Sequence, residues 1–353
     1  HEVLGLELPL HLATLSEQAA KAAAQQLQVK LYPFQHAALS KAMSREGACI
    51  WAPCGAGKTL TALCWARPGP TLVITKAIGR DDTWPEQVRR WTPWEPRALT
   101  GRTPVDLSAD LSDPAAIWIT AWETLINWRK ELCRHRWLRL IIDEAHWTTQ
   151  RQRAKGIVTP DGQTEWQDLD NTSAAARDVA DHADRRLLLT ATPIPTRLIN
   201  LWPQLDLAEP WAWGGSAQFG RRYCGGWHNG YGWVYDGLSQ VEELNRRLAF
   251  VKHLTRQSAL IRELPPKRRQ VVRLAPAHQD KPAPMKRIIQ VAARSGDASI
   301  LREILLEEAS SRKATYVSEL VRDAIKCGQK VIVFTGRKRI CEALGQTLEK
   351  VPA

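Results

Sequence analysis

No apolar run in the chain approaches the roughly 18 residues of a membrane-spanning helix, which excludes a helical membrane protein. None of the seven cysteines stands in a CxxC pair. No histidine lies at ligand spacing from any of them except His228 after Cys224. Two ligands do not make a zinc site, so a zinc ribbon and a disulfide framework both drop out. A reducing, intracellular compartment is the simplest reading: cytoplasm in a prokaryote or phage-derived protein, nucleus in a eukaryote. A secretory leader pattern is also absent, and because His1 is not a natural start the native N-terminus is expected upstream. Base-reading motifs are missing too, so a nucleic-acid partner would be held by its phosphates.

What is present is ordinary globular composition, 44% hydrophobic and 24% charged, in 353 residues, enough for two domains. The formal net charge of +12 suits a protein that lies along a polyanion. Basic residues cluster at Arg134–Arg136, Arg151–Lys155, Arg221-Arg222, Lys267–Arg269 and Arg337–Arg339. Any one of these clusters alone reads as solvated surface. Sixteen tryptophans are unusual. Most stand beside apolar residues, as Trp118 and Trp122 do around Thr120, so core packing is expected for them.

The chemistry sits in two short segments. Pro53-Cys54-Gly55-Ala56-Gly57-Lys58-Thr59 is a glycine turn between an apolar strand, Ala48–Ala52, and a helical run, Leu60–Trp65. Such a turn aims backbone N–H groups at phosphate oxygens, and the helix N-terminus adds its dipole. Lys58 is expected on the β- and γ-phosphates of ATP and the Thr59 hydroxyl on Mg²⁺. Trp137–Ile142 then delivers Asp143-Glu144-Ala145-His146 at a strand end, 84 residues after Thr59. At the carboxyl edge of an open sheet, Asp143 would hold Mg²⁺ and Glu144 would orient the attacking water.

These two segments, with Thr190-Ala191-Thr192-Pro193, resemble motifs I, II and III of superfamily-two helicases and translocases. Leu31-Tyr32-Pro33-Phe34-Gln35 resembles the Q-motif, which implies that Gln35 reads adenine. Ile119-Thr120-Ala121-Trp122-Glu123-Thr124-Leu125 is similar to a segment of the Swi/Snf-type branch. Phe219–Cys224 and Leu264–Arg269 look most like the annealing-helicase (HARP-type) relatives. Val331–Thr335 resembles motif IV, and Trp84 occupies the motif Ia region, where a tryptophan begins a helix. The phosphate loop departs from the branch, which usually reads DEMGLGKT, and the outer glycine of the general pattern is Ala52 here.

The resemblance implies an α/β fold: a RecA-like parallel-sheet lobe flanked by helices, followed by the beginning of a second RecA-like lobe. Expected boundaries are a helical extension over 1–29, with its helix capped by Ser16, and lobe 1 over 30–250. A linker over 251–276 and a partial lobe 2 over 277–353 follow. Lobe 1 carries insertions near 150–170, read as a surface hairpin, and 211–236, read as a hairpin-rich extrusion. In lobe 2, helices are expected at Met285–Arg294, Ile300–Glu308 and Tyr316–Lys326, then a strand at Val331–Thr335.

The implied activity is ATP-driven translocation on double-stranded DNA, with Thr190, Ala191 and Thr192 coupling the site to the track. Lys76, Thr120, Arg221, Arg222 and Arg337 are the candidate nucleic-acid contacts, and the extension or insertions could meet other protein subunits. Motifs V and VI have no counterpart here. Residues 1–353 are therefore expected to bind ATP and hydrolyse it poorly, since an arginine finger contributes on the order of 10³–10⁵ in rate. An RNA helicase or restriction-complex motor, and a non-catalytic nucleotide-binding subunit, are the alternatives. Intact Lys58, Asp143 and Glu144 argue against the last.

Overall fold

The computed structural model describes residues 10–66, 69–108, 115–149, 155–158, 164–167, 172–256 and 313–348, with isolated positions besides. The chain divides into two compact units, 1–266 and 267–353. In the first, the strands of the main sheet are β1 (Gly47–Trp51), β2 (Thr71–Thr75), β3 (Glu95–Ala98), β4 (Ala116–Ala121), β5 (Trp137–Asp143), β8 (Ala183–Thr190) and β11 (Lys252–Leu254). They form one seven-stranded sheet in the order β11-β1-β8-β5-β2-β4-β3, and every pairing in it is parallel. This is the expected doubly covered α/β lobe. Strand β11 lies within the segment expected to be linker, and it pairs Cys49 with Lys252 and Trp51 with Leu254.

Both faces of the sheet are buried, as the near-continuous apolar strands require. Alternate residues go to opposite sides. Ile50, Val73, Ile119, Ile141 and Leu187 pack into one core layer. Cys49, Leu72, Trp118, Leu140 and Leu188 pack into the other. The first layer is closed by α1 (Leu10–Gln26), α2 (Pro33–Met43), α3 (Lys58–Trp65) and α4 (Trp84–Trp91). The second is closed by α5 (Leu125–Leu132), α6 (Thr172–Asp181), α7 (Trp202–Ala208), α8 (Ser216–Tyr223) and α9 (Val241–Val251).

Helix α1 starts at Leu10, six residues before the expected Ser16 cap. Ser16 is buried in mid-helix, with its Oγ 3.3 Å from Ser40 Oγ of α2. The extension is thus packed on the lobe, with Ala20 and Ala23 in the core.

The insertion near 150–170 contains an antiparallel pair, β6 (Lys155–Val158) and β7 (Thr164–Gln167). The 211–236 segment holds a helix as well as a hairpin: α8 precedes β9 (Trp227–His228) and β10 (Trp233–Val234). Among the described residues, no helix is long and apolar enough to cross a membrane.

The second unit shows a helix at 313–326 and another at Lys338–Leu348. Val331–Thr335, expected as a strand, is irregular, with Ile332 79% and Phe334 92% exposed. A strand needs a neighbour to pair with, and the described residues of this unit supply none. The expected helices at Met285–Arg294 and Ile300–Glu308 lie outside the described residues, as does Leu264–Arg269.

One close approach sets a test of the sheet. A Cβ placed on Gly47 would come within 1.6 Å of the Ala208 carbonyl oxygen, because α7 crosses the start of β1 there. Backbone cannot rotate away as a side chain can. Gly47→Ala is expected to destabilise the lobe by upward of about 3 kcal/mol, the upper range for overpacking, as measured by denaturant unfolding.

Candidate functional site

The phosphate loop joins β1 to α3. Gly55 and Gly57 hold φ of 80° and 70°, the left-handed region that the absence of a Cβ allows. Gly57 is also the N-cap of α3, so the turn feeds straight into a helix N-terminus. A Cβ at Gly57 would meet Gln35 Nε2 at 2.2 Å. Gln35 is buried and braces the loop: Nε2 donates to the Ala56 carbonyl at 3.1 Å, and Oε1 accepts the Tyr32 N–H at 2.9 Å. One N–H and one lone pair of its amide remain for another partner. Lys58 Nζ donates to the carbonyls of Ala52 (2.9 Å) and Pro53 (3.1 Å), at the lip of the loop. Pro53 and Thr59 are half-buried, and Cys54 and Gly55 are exposed.

The carboxylate opposite is held from several sides. Asp143 ends β5, and its Oδ2 accepts Thr75 Oγ1–H at 3.0 Å and the Trp84 indole N–H at 3.0 Å. Oδ1 accepts the Glu144 N–H at 3.0 Å, and the Asp143 carbonyl accepts the Trp122 indole N–H at 3.0 Å. Hydrogen bonds to a charged group contribute about 1.5–3 kcal/mol each, so the three on the carboxylate fix its rotamer. Trp84 is completely buried and starts α4 after a π-helical turn at Gly79–Thr83. Glu144 has φ of 52°, uncommon for a residue with a side chain, and such conformations cluster at functional sites.

Motif III lies beside both. The Ala52 N–H donates to the Thr190 carbonyl at 3.1 Å, so the first loop residue is tied to the end of β8. Thr190 is buried, and its Oγ1 accepts the Thr192 N–H at 3.1 Å. His146 Nδ1 lies 3.0 Å from Thr190 Oγ1, 3.4 Å from Thr192 Oγ1 and 3.3 Å from Glu144 Oε2. Burial is the main effect holding the His146 pKa below its ordinary value, which keeps the ring neutral at physiological pH. Ala191 is half-buried between the two threonines.

The candidate nucleic-acid residues fare unevenly. Thr120 is fully buried within β4, between β2 and β3, so it is not a surface contact. Lys76 follows β2, with Nζ 5.3 Å from the Trp147 ring centroid, beside motif II. Arg221 and Arg222 are exposed on the last turn of α8, and Arg222 is clamped by Glu243 through bonds of 2.9 and 2.6 Å. Arg337 belongs to the second unit, where its N–H donates to Thr335 Oγ1 at 3.3 Å. The sequence alone does not point to Thr75, to His146, or to Trp84 and Trp122 as partners of Asp143. The available signals were a threonine closing the neighbouring strand, the histidine within DEAH itself and the tryptophan of the motif Ia region.

With this geometry in place, comparison with known proteins becomes informative. A family described as "Type III restriction enzyme, res subunit" matches residues 12–195, more than half of the chain. The chain belongs to that family. Its relatives lie in the Swi/Snf branch of superfamily two, among the annealing helicases, as the motifs imply. It is 28% identical over 340 residues to the SWI/SNF-related matrix-associated actin-dependent regulator of chromatin subfamily A-like protein 1 of Xenopus tropicalis, a match covering 90% of this chain and 33% of that protein. The DNA annealing helicase and endonuclease ZRANB3 of Bos taurus is 26% identical over 261 residues, covering 69% of this chain and 22% of its own length. The chain thus spans about a third or less of these relatives. The Sulfolobus solfataricus SWI2/SNF2 ATPase core in complex with dsDNA matches with a TM-score of 0.53 at 18% identity, over 92% of this chain and 59% of that one. That likeness identifies the lobe as RecA-like.

The indole donor on Asp143 yields a prediction. Trp84→Phe keeps a ring in the buried slot and removes the N–H. Folding stability is expected to fall by about 1.5–3 kcal/mol, the worth of one hydrogen bond to a charged group. Mg²⁺-dependent binding of a fluorescent ADP analogue should weaken several-fold while Mg²⁺-free binding holds. Equal loss with and without Mg²⁺ would mean that Trp84 acts by packing alone.

Proposed function

We propose that the chain is the ATP-binding part of a motor that translocates along double-stranded DNA. The observation that carries the reading is the Asp143 carboxylate, held by Thr75 and Trp84 at a strand end. Its neighbours are a glycine loop and a motif III tied to that loop by the Ala52–Thr190 bond. A hydroxyl from Thr59 and a carboxylate from Asp143 are hard oxygen donors of the kind Mg²⁺ takes. When bound, Mg²⁺ supplies neutralisation of charge on the β- and γ-phosphates. Lys58 would turn from the Ala52 and Pro53 carbonyls onto the phosphates, and backbone N–H groups of 54–59 would cradle them. Glu144, turned by its left-handed backbone, would orient water, and Gln35 would use its remaining amide positions on adenine. Neutral His146 would relay the state of Glu144 to Thr190 and Thr192.

Duplex DNA as the track is supported by the charge of +12 and by the relatives, whose names speak of chromatin and DNA annealing. An intracellular setting follows from the same partner. A restriction-complex motor is the second reading, favoured by the description of the matching family. Full turnover is proposed to need an arginine from a second lobe closing on the γ-phosphate.

Three substitutions test the assignments. In a protein carrying a full second lobe, Lys58→Ala is expected to abolish nucleotide binding or turnover. Glu144→Gln should preserve nucleotide affinity and slow hydrolysis by orders of magnitude, and Asp143→Asn should weaken Mg²⁺ binding instead. Should Glu144→Gln and Asp143→Asn lose nucleotide affinity to the same extent, the division of labour is wrong.

The track has its own test. Affinity for duplex DNA should drop steeply as salt rises and be indifferent to base sequence, because phosphates provide the contacts. Fluorescence anisotropy with two unrelated duplexes across a salt series measures both. A flat salt response or a strong sequence preference would refute phosphate-track binding.

A further inference from the structure

The segment after α8 has a design that the motor reading leaves unused. Strands β9 and β10 form a short hairpin whose tip, Asn229-Gly230-Tyr231-Gly232, is locked by its own polar groups. Asn229 Oδ1 accepts the N–H groups of Tyr231 (3.0 Å) and Gly232 (2.9 Å), and the Asn229 N–H donates to the Gly232 carbonyl at 3.0 Å. His228 Nδ1 accepts the Gly230 N–H at 3.1 Å. This tip presents Tyr231 at 100% exposure.

Below it the hairpin is rooted firmly. A Cβ on Gly220 would lie 2.6 Å from the Tyr235 ring, so that ring lies flat on α8. Trp233 stacks parallel to Tyr235 at 6.4 Å and 10°, and the Arg221 guanidinium covers Trp233 at 5.2 Å. Trp227 and Trp233 remain 51% and 46% exposed.

A rigid loop that holds aromatic rings in water is ready to bind without an ordering cost. The rims of these rings decide what they bind. Arg221 lies over Trp233 and His228 meets it edge-on, while the hairpin's one carboxylate, Asp236, accepts the Trp227 indole N–H at 3.3 Å. Arg222 is already neutralised by Glu243, but an apolar protein face would desolvate the exposed Arg221 guanidinium on Trp233. Flat rings beside phosphates satisfy both features: a ring for the base, a guanidinium for the backbone.

We infer that the 227–234 hairpin is a stacking site for unpaired nucleotides, with Tyr231 as the ring for a base and the Arg221 guanidinium on Trp233 for a backbone phosphate. Bases inside a duplex are already stacked, so the site reads single-stranded arms or the fork where a duplex opens. The hairpin joins the motor through α8 and the segment after motif III, where Gln204 Nε2 donates to the Pro193 carbonyl at 2.7 Å. The inference rests on DNA being the track.

The test uses the whole chain, fluorescence anisotropy and three probes: a forked duplex, a single-stranded oligonucleotide and a duplex closed by loops at both ends. Tyr231→Ala touches no packed atom and should fold as the parent does. It is expected to lose about 5- to 150-fold in affinity for the fork and the single strand, the range for one base stack, and to keep closed-duplex affinity. Tyr231→Phe should bind like the parent. Unchanged fork binding by Tyr231→Ala, or an equal loss on the closed duplex, would overturn the stacking site and leave the motor standing. A parent that binds the single strand but not the closed duplex would sink the duplex track and leave the hairpin standing.

Discussion

Everything in the site depends on the parallel register of three adjacent strands. β1 pairs with β8 so that Trp51 lies beside Thr190, and β8 pairs with β5 so that Leu189 lies beside Asp143. The ends of the strands therefore align, and the phosphate loop, motif III and motif II emerge within a few ångströms of each other. A slip of one residue would turn each strand's side chains to the opposite core layer. Because both layers are packed, with Ile50 and Leu187 on one side and Cys49 and Leu188 on the other, the slip is heavily penalised. The cores on the two faces thus specify the chemistry at the edge.

The tryptophans extend the same logic. Trp51, Trp65, Trp84, Trp118, Trp122, Trp128, Trp137 and Trp213 are buried. A buried indole brings apolar area and one N–H that costs free energy unless it finds an acceptor. Trp65 donates to the Ala42 carbonyl, Trp128 to Gly101 and Trp137 to Leu132. Trp84 and Trp122 spend theirs on Asp143. The lobe therefore uses the same residue for core volume and for fixing the motif II aspartate, one donor on the carboxylate and one on the backbone.

The motifs were legible in the sequence because their chemistry is local: a glycine turn, a run of carboxylates and apolar strands of buried type. The strands that deliver them, Ala48–Ala52 and Trp137–Ile142, were legible for the same reason, whereas β11 falls in the segment expected as linker. The supports of Asp143 were not, because Thr75 and Trp84 are 68 and 59 residues away and only sheet pairing brings them near. Thr120 illustrates the converse. Its segment resembles a motif, yet β4 is an inner strand, and resemblance to a segment does not say which face a residue takes. Helix α1 runs through Ser16, which is buried against Ser40 of α2, so a residue of cap type serves there as a packing position. The 331–335 segment has strand composition and no partner among the described residues, and composition alone does not make a ladder.

The ladder also limits what can move. The Ala52–Thr190 bond extends the β1–β8 ladder to the first residue of the phosphate loop. Regular structure stops at Thr190, and residues 191–197 run irregularly before the turn at Leu198–Leu201. Movable groups near the site are then few: the strained Glu144, the neutral His146 ring between it and the two threonines, and the segment beyond. A change at Glu144 can reach Thr192, an exposed residue past the end of the ladder, through a single imidazole. Gln204 of α7 donates to the Pro193 carbonyl, so the segment just past motif III is tied to that helix.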